Sequence, residues 1–426
     1  MDETDLAVVG AGIIGLAVAR ELARRDPDRR VVVLEREDRV GVHQTRHNSG
    51  VAHAGIYYAP GSLKARLCVS GMRELAEYCA ARGLPFERCG KVIVALDAGE
   101  LPALDELQRR GEANGVPGLR RLDAGELRAI EPHAAGVAAL HSPGTAIVDF
   151  AAVARSFAGD VRDAGGEIVL GAAVEGVEVR AGGARRTASS SGTPAGGADR
   201  AARGRGDGPP ARRLVLRHSR GELAAGFAVF CAGLWSDRLA ALAGAGPDPR
   251  IVPFRGAYLR LVPHRRELVR GLIYPVPDPR LPFLGVHLTR HLDGDVLIGP
   301  GALLSPRGLG RSLSWPGTWR MARRWWRTGV TEIHRALSHA ALVRAAARYV
   351  PELQPDDAEP AWAGVRAQAL ARDGSLLDDF AFSHTERALH VRNAPSPAAT
   401  AALAIARHVA DEVERVDAER PRVRGV

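Results

Sequence analysis

At 426 residues, with 46% apolar and 25% charged side chains, the chain buries enough surface for more than one hydrophobic core and divides into two domains. Its four cysteines, Cys68, Cys79, Cys89 and Cys231, are too scattered for a disulfide framework or a C-x-x-C metal or redox site, and no apolar run reaches the roughly 18 residues needed to cross a bilayer. The net charge of +9 does not mark a nucleic-acid binder, because eight arginines and two aspartates between Arg180 and Arg213 supply +6 of it, in a segment with no aromatic residue to stack on bases.

The first element in chain order is the strand Asp5-Leu6-Ala7-Val8-Val9, which runs into Gly10-Ala11-Gly12-Ile13-Ile14-Gly15 and a helix expected over Ile14–Arg25. A second strand, Val31–Leu34, ends at Glu35. Strand, glycine turn, helix and an acid about 20 residues further on are what a Rossmann unit uses to hold a dinucleotide. Gly10 allows the tight turn, Gly12 lets the backbone approach a pyrophosphate, and Gly15 lets the helix lie close to the strand. The pyrophosphate sits at the helix N-terminus, and Glu35 accepts from a ribose hydroxyl. Ile14 and Arg36 are assigned to the same binding surface. No charged, apolar and small-residue leader precedes the first strand, which with the scattered cysteines reads as cytoplasmic.

Helices are expected next over Leu101–Asn114 and Ala151–Gly165, then a strand over Glu167–Leu170. Strands Val174–Val179 and Arg213–Arg217 flank residues 181–212, whose Gly, Ala, Ser, Pro and Arg composition cannot bury enough surface to fold and reads as a disordered insertion. A buried run, Gly226–Gly233, follows. Alternating strands such as Gly256–Val262 and Val296–Gly299 suit an antiparallel sheet with one covered face. The architecture read from this order is an α/β Rossmann-type domain, discontinuous over 1–75, 146–240 and 361–416, plus an α+β substrate domain with an antiparallel sheet over 76–145 and 241–360. Residues 417–426 read as a flexible tail.

Four of the six tryptophans, Trp315, Trp319, Trp325 and Trp326, crowd beside Arg320, Arg323, Arg324 and Arg327. Tryptophan and arginine on one helix suit a lipid headgroup boundary, which leaves peripheral contact at the inner face of a membrane open. The competing reading is a buried stripe of Trp319, Trp326, Val330, Ile333 and Leu337 at helical spacing, with Trp315 and Trp325 off the stripe as the residues that decide between the two.

Five blocks carry a family resemblance: His43-Gln44-Thr45-Arg46-His47-Asn48-Ser49-Gly50-Val51-Ala52-His53-Ala54-Gly55-Ile56-Tyr57-Tyr58, Pro253-Phe254-Arg255-Gly256, Pro282-Phe283-Leu284-Gly285-Val286-His287-Leu288-Thr289, Gly364-Val365-Arg366-Ala367-Gln368, and Arg392-Asn393-Ala394-Pro395-Ser396-Pro397-Ala398-Ala399-Thr400. Together they resemble the L-2-hydroxyglutarate dehydrogenases and oxidases of the FAD-dependent, D-amino-acid-oxidase-like superfamily. The resemblance implies FAD as cofactor, oxidation of L-2-hydroxyglutarate to 2-oxoglutarate, and transfer of the electrons to a quinone-type acceptor or oxygen. It departs from the family pattern at Arg46, where glycine is common, and at Ala52. On the flavin it places Thr45, Asn48 and Ser49, the backbone of Val174 at adenine, the strand end Ala232-Gly233, and Asn393-Ala394-Pro395-Ser396 at the start of a last helix, Ala398 to Val413.

Removing hydride from a 2-hydroxy acid also requires a base for the hydroxyl proton. Histidine suits that role at neutral pH, and His53 and His287 are the two candidates. A dicarboxylate needs two anion clamps. Arg366 stands where amino-acid-oxidising relatives carry the arginine that binds the 1-carboxylate, and Arg255 is the choice for the second. Two other readings stay open: an amino-acid or amine oxidase on the same fold, and a basic binding protein whose nucleotide site has lost its chemistry.

Overall fold

The computed structural model describes residues 1–181, 212–278, 284–301, 303–306 and 308–419. The insertion expected at 181–212 lies outside these, except for its two end residues, which extend the flanking strands. The last helix runs to Glu419, into the expected tail, and the rest of that tail lies outside the described residues.

The first sheet has eight strands. Strand Asp2–Val9 is paired in parallel with Val31–Leu34 on one side and Gly221–Phe230 on the other, and Glu167–Val169 continues the parallel order beyond Val31–Leu34. Val31–Leu34 is buried at every position, as a strand covered on both faces must be. Helices Ile13–Arg25, Phe150–Asp163 and Ala402–Glu419 close one face around Leu16, Val18, Phe157, Ile405 and Val409. Helix Leu63–Arg82 packs against the last helix, and Gly71 makes that approach feasible. A Cβ there would lie 2.6 Å from Ala401 Cα and 2.9 Å from the Thr400 carbonyl oxygen.

The second sheet has nine strands and is antiparallel except where Leu272–Pro275 runs parallel to Lys91–Ala95. Its longest ladder joins Arg250–Leu261 to Ala358–Leu370. That ladder corrects the sequence assignment of residues 361–370 to the nucleotide domain: the strand belongs to the second sheet, paired with a partner about a hundred residues earlier that no local pattern could disclose. The last helix also starts later than expected, at Ala402, with residues 396–401 forming turns ahead of it.

The tryptophan segment is the clearest reversal. Trp315 is 3% exposed and its Nε1 donates to the Leu370 carbonyl at 3.0 Å, whereas Trp319, Trp326, Val330 and Ile333 are 61%, 60%, 59% and 50% exposed. The apolar stripe is therefore the outward face. Amphipathic spacing fixes that a helix has two faces, and tertiary packing decides which is covered. No helix among the described residues is long and apolar enough to cross a membrane.

Candidate active site

A cleft opens at the carboxyl ends of the parallel strands, lined by Gly10, Gly12, Glu35, Arg36, Thr45, Val174, Ala232 and Gly233 among others. This is the place where open α/β sheets bind nucleotides. The three glycines have distinct reasons. Gly10 has φ +107°, and a Cβ on Gly15 would lie 1.9 Å from the Gly10 carbonyl oxygen, so both are demanded by the chain's own packing. At Gly12 the nearest atom to a Cβ would be Thr45 Oγ1 at 3.5 Å, an ordinary contact. The chain's own packing does not require glycine there, and its lack of a side chain leaves the space open to a group entering the cleft. The residues present thus fit a dinucleotide.

The loop is fastened from both sides. Glu35 is buried, its Oε2 accepting from the Ala11 N–H at 2.6 Å and its Oε1 from the Glu37 N–H at 2.9 Å. Each oxygen keeps a further lone pair for a ribose hydroxyl. Gly12 offers no side-chain cap to the helix, and Thr45 Oγ1 supplies one by accepting from the Ile13 N–H at 3.0 Å. Arg36 is exposed on the rim, stacked 4.0 Å over the Trp235 ring. Ile14 packs its side chain on the first core instead of lining the cleft.

From Thr45 the chain leads to the reacting end. Asn48 shapes this segment, donating to the Gln44 and Thr45 carbonyls and accepting from the Gly50 N–H, and Ser49 follows it, half-buried. Gln44, which sequence reasoning passed over, accepts from the Ala367 N–H at 3.0 Å, and Gly364 leaves room for the His47 carbonyl. These two contacts hold the strand carrying Arg366 against the segment that runs to His53. Arg366 is half-buried near Tyr258, and the desolvation of its guanidinium pushes its pKa down. Asp378 and Asp379 are engaged at the start of helix Leu63–Arg82, Asp378 by the Lys64 ammonium and Asp379 by the N–H groups of Leu63 and Lys64.

His53 is held by its backbone, its N–H donating to Thr400 Oγ1 at 3.1 Å and its carbonyl accepting from Cys68 Sγ at 3.2 Å. Its Nε2 lies 3.4 Å from Ser396 Oγ, while its Nδ1 is buried without a partner. His287 is buried in strand His287–Arg290, with its ring stacked 4.1 Å from Tyr274. Its Nδ1 lies 2.9 Å from the Gly285 carbonyl, which can only accept, so Nδ1 carries the proton and Nε2 the lone pair. Burial holds His287 down to about 4. His53 is held well below the usual histidine range by burial first, then by the nearby Lys91. Both rings are therefore neutral at neutral pH.

Two sequence assignments land differently. Arg255 is exposed, and because Arg366 lies directly opposite Phe254 in the ladder, alternation puts Arg255 on the other face. Asn393 is buried and donates to the Leu377 and Asp379 carbonyls, so it builds the loop, while Ala394 packs on the first core and Pro395 is half-buried before Ser396. Lys91, Tyr57 and Tyr274 join the histidines although the sequence had not singled them out. A lysine opening an otherwise apolar strand, Lys91-Val92-Ile93-Val94-Ala95, was the available signal.

The family model described as FAD dependent oxidoreductase (DAO) matches residues 5–412. The mitochondrial L-2-hydroxyglutarate dehydrogenase of Nematostella vectensis is 44% identical over 96% of this chain and 90% of its own, and that of Homo sapiens 43% identical over 96% and 89%. The L-2-hydroxyglutarate dehydrogenase of Indibacter alkaliphilus is 40% identical over 93% and 96%. Among solved structures, FAD-bound L-alpha-glycerophosphate oxidase from Mycoplasma pneumoniae superposes with a TM-score of 0.75 at 21% identity, covering 99% of this chain and 96% of that one. Glycine oxidase from Geobacillus kaustophilus superposes at 0.65 with 22% identity, over 97% and 95%, so both share the fold. On the extent of these matches, the chain belongs to the FAD-dependent oxidoreductases and, within them, to the L-2-hydroxyglutarate dehydrogenase family.

Proposed function

We propose that the chain oxidises L-2-hydroxyglutarate to 2-oxoglutarate, with Gly10, Gly12, Gly15, Glu35, Thr45, Val174 and Gly233 holding FAD. The cofactor, when bound, supplies the hydride acceptor and an outlet for the electrons to a quinone-type acceptor or oxygen. The observation that carries the reading is the gathering of buried His287, its tautomer fixed by Gly285, and half-buried His53 around half-buried Arg366. A hydroxy acid needs a proton acceptor and an anion clamp, and this arrangement offers both. His287 is the better prepared base, since its tautomer is fixed by Gly285 and leaves Nε2 free to take the hydroxyl proton. Arg366 grips the carboxylate next to the reacting carbon with its planar fork. His53, joined to the turn at Ser396, keeps its unpaired Nδ1 for the cofactor or substrate.

The finer reading of partner and place is peripheral binding to an anionic membrane surface, where a quinone-type acceptor resides. It is supported by the exposed face of Trp319, Trp326, Val330 and Ile333, flanked by the exposed Arg320, Arg323 and Arg324. No acidic residue occurs between Asp295 and Glu332.

The test is anaerobic bleaching of the flavin-loaded protein with L- and D-2-hydroxyglutarate, other 2-hydroxy acids and amino acids, followed by reoxidation with quinone or oxygen. Bleaching by L-2-hydroxyglutarate is the expected result. Bleaching by amino acids alone would overturn the assignment.

A further inference from the structure

A dicarboxylate substrate leaves its second carboxylate without a partner once Arg366 holds the first, because Arg255 points to the other face. Two lysines act on the histidines: Lys64, which is engaged by Asp378, and Lys91, which acts on both rings. Lys91 opens strand Lys91–Ala95 in the interior of the nine-stranded sheet, between Leu272 on one neighbouring strand and Ser142 on the other. It is 1% exposed, and among the described residues no ion pair links it to a carboxylate. Its ammonium lies 4.6 Å from the centre of the Tyr57 ring and 5.1 Å from that of Tyr274, the ring stacked on His287. Two aromatic faces offset only part of the cost of burying an ion. Burial accordingly pushes the ammonium down to about 7. Tyr57 adds a buried Oη without a hydrogen-bond partner, a second donor awaiting an acceptor. A lysine buried among rings is a poor structural choice, since an apolar chain of the same length would pack there without desolvating a charge.

We propose that Lys91 is the specificity-determining residue that receives the distal carboxylate of the substrate, while Arg366 holds the carboxylate beside the reacting carbon. The inference rests on the 2-hydroxy dicarboxylate reading and names the group that would distinguish such a substrate from a monocarboxylate. The dianion would bring the missing counter-charge, and the two cations would set its direction along the chamber.

The test compares wild type, Lys91→Met and Lys91→Arg as flavin-loaded proteins on L-2-hydroxyglutarate and on L-2-hydroxyvalerate, which carries a methyl group in place of the distal carboxylate. Loss of a charge-assisted hydrogen bond predicts that Lys91→Met lowers kcat/KM for L-2-hydroxyglutarate by about tenfold to a hundredfold, mainly through KM. Its efficiency on L-2-hydroxyvalerate is expected to stay level, and Lys91→Arg to recover part of the dicarboxylate preference. Titration of the flavin spectrum with 2-oxoglutarate and 2-oxovalerate gives a readout without turnover, in which only 2-oxoglutarate binding weakens. Equal losses on both substrates, or an unchanged preference, would overturn the role of Lys91. A wild-type flavin that no 2-hydroxy acid reduces would instead sink the underlying functional reading.

Discussion

At Gly12 the chain tolerates a side chain and the cleft does not. A Cβ meets only Thr45 Oγ1 at 3.5 Å, so Gly12→Val is expected to fold with its circular dichroism intact and to lose its flavin, as a branched group takes the space of the pyrophosphate. A yellow, fully loaded Gly12→Val protein would contradict the placement of the cofactor. His287 gives a pH prediction with a definite sign. Its pKa is lowered by burial to about 4, so the Nε2 lone pair is present above that value and is lost as the pH falls through it. With L-2-hydroxyvalerate, which keeps Lys91 out of the profile, kcat/KM is expected to stay level from about pH 7 to about pH 5, where an ordinary histidine base would already be failing. His287→Asn is expected to slow anaerobic flavin reduction by roughly a hundredfold or more at unchanged flavin content. A rate loss confined to His53→Asn would move the base to His53.

Among the elements, those built from neighbouring residues were legible and those built from distant ones were not. The first strand, glycine turn and helix could be read from consecutive residues because their geometry is set by local hydrogen bonds and by the glycines at 10 and 15. The strand Ala358–Leu370 could not be assigned to its sheet, since its ladder to Arg250–Leu261 depends on long-range pairing, and the face on which Arg255 stands followed only from that register. Lys91 was overlooked for the same reason: its neighbours in space, Tyr57 and Tyr274, come from well before and well after it in sequence. Two helical glycines test the packing directly. Gly71→Ala drives a Cβ into Ala401 and the Thr400 carbonyl, so it is expected to cost about 1–3 kcal/mol and to loosen flavin binding through the contact between Thr400 and His53. Gly159→Ala, on helix Phe150–Asp163 with nothing within 4 Å, is expected to raise stability by about 0.8–1 kcal/mol through helix propensity alone. Thermal midpoints of the two flavin-loaded variants on either side of wild type would confirm the difference.

On the scale of the whole molecule, one outer face away from the cleft is apolar and basic. Trp315, which the sequence left as a decisive membrane residue, anchors Arg250–Leu261 and Ala358–Leu370 from beneath, packed with Val252, Phe254 and Leu370, so its replacement would damage the core and report nothing about lipid. The informative positions are Trp319 and Trp326, which protrude, and Arg323 and Arg324, which are exposed beside them. Indole rings favour the headgroup boundary, and each arginine near an anionic leaflet contributes about 1 kcal/mol. Arg323→Gln with Arg324→Gln should therefore weaken binding to phosphatidylserine-containing vesicles by roughly thirtyfold at low salt. Trp319→Ala with Trp326→Ala should weaken it also at higher salt, where screening has already reduced the charge contribution. Neither pair touches the cleft, so bleaching by L-2-hydroxyglutarate in solution should remain at the wild-type rate. Co-sedimentation of wild type with anionic but not neutral vesicles, lost in both double variants, is the expected pattern. A wild type that stays in the supernatant at low salt would show that this face serves something other than an anionic lipid surface.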